Sequence, residues 1–211
     1  MIKYLLIFFS TLTVFSQTNS QLEIKGLTID PTIKEQVEIH IKDSKDYSEM
    51  NSIMQIYENS LLGEFYKNDT LSFSNKDISK KQIFKSFYYW IDGKLGIYGA
   101  FGIFGGTGFH ISFLNNHAEV FHMLSSDDFP TYAYKEKDTL IDRLDVPCSE
   151  TKIILSEIPD QRKKQIIYGY VEFKSNDYYS VSGAFVVGEV PPKNKFRNNM
   201  RIYFKCGYLE L

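Results

Sequence analysis

After position 63 the apolar and polar positions read as many short strands separated by polar turns, and alternation with a period of two marks the half-buried ones. The stretch "FHISFLNNHAEVFHM" (109–123) shows this most cleanly. Asn115 and Asn116 both tolerate positive φ, so they predict a tight hairpin turn. The implied register sets His110 opposite Phe121 and Ser112 opposite Glu119. Phe109, Ile111, Phe113, Ala118, Val120 and His122 then share a core face, and His110, Ser112, His117 and Glu119 an outer one. Asp92–Gly93 predicts a second hairpin, with Ile91 facing Lys94, Tyr89 facing Gly96 and Phe87 facing Tyr98. A third turn is expected at Asn68–Asp69. Further strands are expected near 131–136, 151–157, 165–173, 178–188 and 199–210, with "EVPPKNKFRNN" (189–199) as a loop.

Helical spacing occurs in one clear place. Met50, Ile53, Met54, Tyr57 and Leu61 recur on one face of "DYSEMNSIMQIYENSLL", with Asp46 and Glu49 placed as a capping box and Gly63 as a stop. The spacing predicts a helix over about 46–62. "KKQIFKSFYYW" mixes two periods and is read as a short helix after Asp77 that becomes a strand by about Phe87. The fold class that follows is mainly β (α+β): a single-domain antiparallel β-sandwich or β-barrel with an amphipathic helix near the N-terminus and room for a second short one.

The run "GIYGAFGIFGGTGF" (96–109) tests whether the glycines carry chemistry. It fails the dinucleotide pattern, because Ile111 stands where the third glycine belongs, and it has no P-loop lysine. In a strand, glycines at period three fall on both faces in turn and allow rings to lie over bare backbone. The expectation is therefore structural, with Tyr89 over Gly96.

Composition changes the picture at the N-terminus. "MIKYLLIFFSTLTVFSQTNSQ" has Lys3, an apolar run from Tyr4 to Phe15 and then polar residues. That order predicts a secretory signal peptide over 1–20, leaving one β-rich domain over 21–211. The formal charge of −2 becomes −3 without Lys3, and the lysines are scattered. A balanced, exported chain is a poor nucleic-acid binder. Cys148 and Cys206 are the only cysteines. Export permits a disulfide between them, and two buried thiols are the alternative.

The chemistry-bearing motifs are fragments. His117, Glu119 and Cys148 resemble part of the zinc-dependent nucleoside deaminase signature, H-x-E followed by P-C-x-x-C, but Thr151 replaces its second cysteine. His117 and His122 have the wrong spacing for a zinc protease and no G-x-S-x-G elbow occurs, so neither a metal nor another cofactor is expected. With 15 Tyr and 17 Phe, the chain has aromatics to spare for a surface that takes a protein, apolar or glycan ligand. Trp90, Tyr178 and Tyr179 are the exposed candidates, and His122 is the inward-facing one.

These features point to an exported, non-catalytic binding or interaction module of the bacterial cell envelope, periplasmic or extracellular, without stable membrane insertion. The alternatives are a periplasmic toxin-immunity protein, a small outer-membrane β-barrel, and a hydrolase assembled from distant residues around His122.

Overall fold

The computed structural model describes residues 24–41, 56–58, 61–74, 83–101, 106–181 and 192–210. The expected signal peptide (1–20) and the first part of the expected 46–62 helix lie outside the described residues.

The elements in chain order are β1 (Leu27–Ile29), α1 (Ile33–Ile41), β2 (Ile56–Glu58), β3 (Leu61–Lys67), β4 (Thr70–Ser74), β5 (Ile83–Ile91), β6 (Lys94–Phe101) and β7 (Gly106–Leu114). They continue as β8 (His117–Ser125), β9 (Tyr132–Ala133), β10 (Arg143–Leu155), β11 (Ile167–Ser175), β12 (Tyr178–Val181) and β13 (Lys193–Tyr208). The chain is mainly β, as its alternation implies.

All three turns form where their residues favour them. Asn68, Asp69, Asp92, Asn115 and Asn116 have φ between 48° and 64°, and Gly93 has φ 72°. The registers follow: Ile91–Lys94, Tyr89–Gly96 and Phe87–Tyr98 in one hairpin, His110–Phe121 and Ser112–Glu119 in the other.

Pairings run β5-β6-β7-β8-β10-β11-β13, and β13 returns to β5 through Gly207–Phe87 and Tyr208–Tyr88. The result is a barrel-like ring closed by a short parallel contact. The Ser86 hydroxyl reinforces the closure by donating to the Lys205 carbonyl at 2.6 Å. Strand β10 joins two partners: Arg143–Pro147 pair with β8, and the ladder to β11 starts at Cys148. Pro147, which has no N–H to give a ladder, stands at that change of partner.

The ring is filled by side chains. Phe84, Tyr88, Ile97, Phe109, Ile111, Ile153, Val171, Ile202 and Phe204 form one buried cluster. Phe109 meets Phe204 across the interior at 5.1 Å between ring centroids. On the outside, α1 lays Ile33, Val37 and Ile41 against Tyr168, Tyr170, Tyr203 and Ile154 of β10, β11 and β13.

Three expectations change. Among the described residues the helix is at 33–41, and the described parts of the expected 46–62 helix, 56–58 and 61–62, are strand, paired with Lys85–Ile83 of β5 and with Ile202 and Arg201 of β13. Strand β5 begins at Ile83, earlier than Phe87, since Phe84, Ser86 and Tyr88 alternate into the core with period two. The expected loop at 189–199 is strand from Lys193, held by pairing with Val181–Tyr178 of β12.

Candidate functional site

Groups that could act on a ligand come together in one cluster inside the ring and in another outside it.

The inner cluster centres on His122. Strand parity turns it inward with Phe109 and Val120, and its exposure is 0%. Its Nε2 shares a 2.6 Å hydrogen bond with Thr107 Oγ1. Asn198 Nδ2 donates to the same nitrogen at 3.4 Å and to Tyr178 Oη at 3.3 Å. The rings of Phe173 and Tyr178 flank the imidazole at 5.9 and 5.8 Å. Burial disfavours the charged form and lowers the His122 pKa to about 3. Among the described residues, His122 Nδ1 and Asn198 Oδ1 have no hydrogen-bond partner. A hydroxyl bonded to an imidazole is the first half of a nucleophile–base pair. Here the imidazole is a very weak base, and its other nitrogen has no hydrogen-bond partner among the described residues. The geometry suits a polar pin joining β7, β8 and β13.

The outer cluster lies on the far side of the same strands. Register aligns Phe87, Tyr98, His110, Phe121 and Pro147 in one row across β5, β6, β7, β8 and β10. The next row is Lys85, Ala100, Gly108, Met123 and Asp145. Phe87 stacks on Tyr98 at 4.9 Å and 20°. Tyr89 lies across Gly96, where a Cβ would meet the tyrosine ring. Its Oη shares a 2.9 Å hydrogen bond with His110 Nε2. The two rings are parallel to within 17°, and Phe121 follows His110 at 29°. These side chains are half-buried. Burial raises the Tyr89 and Tyr98 pKa values and lowers that of His110, which Asp145 partly opposes.

Beside the rings runs a trough of about 440 Å³. Its floor is Ala100 and Gly108, small residues between larger neighbours, and Lys85, Asp127, Arg143 and Asp145 stand around it. A side chain at 108 is excluded by the Gly99 carbonyl. Glycine at 108 is thus required by the close approach of β6 and β7, and the trough carries two acidic and two basic groups.

Of the residues singled out from the sequence, the structure brings Tyr178 and His122 together, with ring centroids 5.8 Å apart. Trp90 is half-buried and packs against the hydrophobic core of the ring, because the β5 register puts Tyr89 outside and Trp90 inside. Tyr178 is buried at 5% exposure beside His122, and only its neighbour Tyr179 is partly open, since a strand cannot expose both. Cys148 and Cys206 are free thiols. They pair with Ser175 and Ile167, eight residues apart on β11, or about 26 Å along a strand. A disulfide needs Cα atoms within about 7 Å, so this pairing does not form. Burial pushes the Cys148 thiol up to about 12 and the Cys206 thiol up as well. Among the described residues no group of three His, Cys, Asp or Glu could hold a metal ion.

The comparisons add no relative: no protein-family model, curated protein or solved structure matches this chain.

Proposed function

We propose that this chain is an exported, non-catalytic binding module and that it binds through the outer face of β5 to β8. One observation carries the reading: two rows across the sheet place half-buried rings beside a trough with a small-residue floor. Singly exposed aromatics are ordinary, whereas a contiguous ring-lined patch with convergent polar groups is the form binding sites take. Export is supported by Lys3 and the apolar run that follows it.

The distribution of side chains favours this over the outer-membrane barrel. A lipid-facing barrel carries an apolar band outside and polar groups within. Here large apolar side chains fill the interior, and Lys85, Arg143, Asp145, Glu172 and Arg201 face outward. No helix among the described residues is long and apolar enough to cross a membrane. The hydrolase reading is weakened by the low pKa and complete burial of His122. No residue pattern favours the immunity reading over other protein-binding roles.

The test uses the mature chain immobilised beside its Tyr98→Ala/Phe121→Ala variant. Both are challenged with a detergent-solubilised envelope fraction and with soluble envelope glycans. A component held by the wild type and lost from the folded variant is the expected result. Equal retention by both would remove this face from consideration.

A further inference from the structure

We infer that the trough and ring row on β5 to β8 accept a neutral oligosaccharide chain lying across the strands; this rests on the binding-module reading above.

The class of ligand follows from what the face offers and withholds. An extended peptide is usually gripped through main-chain hydrogen bonds at a sheet edge. At the centre of this face the ladders β5–β6, β6–β7 and β7–β8 already occupy the backbone groups. Lys85 and Arg143 are balanced by Asp127 and Asp145, so the site has no bias towards anions or cations. A wholly apolar ligand would strip water from those four groups without replacing its hydrogen bonds. A sugar chain fits each demand. Its C–H faces pack on the π faces of aromatic rings, and its hydroxyls both donate to carboxylates and accept from Lys and Arg.

The ring geometry is prepared for such contacts. A hydrogen bond to an imidazole nitrogen lies in the ring plane. The bond from Tyr89 Oη to His110 Nε2, with only 17° between the rings, therefore sets them side by side. Phe121 extends the run at 6.1 Å from His110. Gly96 lets the Tyr89 ring settle onto the sheet, so the orientation is fixed before any ligand arrives. Preorganised contact area of this kind saves the ordering cost of binding. From β5 to β10 the row spans four interstrand gaps, about 19 Å, long enough for a short oligosaccharide.

The experiment is an amide-resolved NMR titration of the mature chain with four hexasaccharides: β-1,4-glucose, β-1,4-N-acetylglucosamine, α-1,4-glucose and β-1,4-mannose. At least one is expected to shift amides on β5 to β8 in preference to those on β11 and β13. Tyr98→Ala should weaken that binding about tenfold, as loss of a central aromatic anchor does. Tyr89→Phe, which keeps the ring over Gly96 and loses only the bond to His110, should weaken it two- to fivefold, on the order expected for one hydrogen bond. Thermal melts of both variants check folding. If no hexasaccharide binds while an envelope protein does so through this face, the oligosaccharide inference fails and the binding face survives. If a hexasaccharide binds and neither variant weakens it, both fail.

Discussion

Among the described residues, the ring carries aromatic side chains on its outer surface at β5 to β8 and at β11 and β13, and they meet different fates. On β11 and β13, Tyr168, Tyr170 and Tyr203 lie under α1, whose Ile33, Val37 and Ile41 are 1%, 0% and 6% exposed. His40 stacks on Tyr203 at 4.0 Å, and Lys34 and Lys205 stand over Tyr168 at 5.2 and 5.6 Å. Those rings already have an occupant. On β5 to β8, Phe87, Tyr89, Tyr98, His110 and Phe121 stay half-buried beside a trough. Among the described residues, the same residue types thus close one face by packing and leave the other half-buried. The difference lies in the neighbours: an amphipathic helix follows β1 and covers the first patch, while small residues and glycine hollow out the ground next to the second.

Variants can break this contrast at either face. The largest effect is expected from Val37→Asp, which places a carboxylate among apolar groups under α1. It should cost several kcal/mol or protonate the new acid. Urea denaturation measures this, and amides of β5 to β8 should keep their native shifts where α1 contacts are lost. Next is Gly99→Val, whose Cβ would enter the Phe84 and Phe109 rings on the inner face. Overpacking of this kind costs about 1–3 kcal/mol, read as a lower denaturation midpoint at unchanged slope.

Acid is the third probe. The His122 pKa is about 3 in the fold and about 6.5 in the unfolded chain. A folded value below the unfolded one means the unfolded state takes the proton first. Stability is therefore intact above about pH 6.5 and falls towards pH 3. The loss is about 1.4 kcal/mol per pH unit, or about 2 kcal/mol by pH 5. His40 and His110 shift in the same direction and remain in a His122→Gln variant. The difference between the two stability curves therefore isolates His122, and parallel curves would refute its burial. The smallest effect is expected from Tyr98→Ala, about 1 kcal/mol or less in stability for a half-exposed ring. Its consequence should appear in binding.

Much of this was legible in the sequence. The asparagine and Asp–Gly turns fix three hairpins, and each register places the inner and outer faces. The register of the Asn115–Asn116 hairpin also holds the Thr107–His122 contact. Extended to its end it sets Thr107 opposite Leu124, diagonal to His122 on the core face. The same reading puts Trp90 inside and Tyr89 outside, so Tyr89 was the better surface candidate. What could not be read is what joins distant segments. Asn198 reaches His122 from 76 residues away, and β13 meets three strands plus the closing β5. The β13 start looked like a loop because "PPKNK" carries the residues of loops. Its strand state comes from partners on both sides, which no local pattern contains. Leu61 and Leu62 fit the helical spacing for the same reason, although their strand state comes from pairing with Ile202 and Arg201 of β13.

The most direct measurement is hydroxyl-radical footprinting of the protein, alone and with a hexasaccharide that binds it. The account predicts that Phe87, Tyr89, Tyr98 and Phe121 label faster than Tyr170 and Tyr178 in the free protein. It also predicts that the ligand suppresses labelling at the first group alone. Labelling at β5 to β8 that is as slow as at the covered rings, or unchanged by a ligand bound elsewhere, would contradict it.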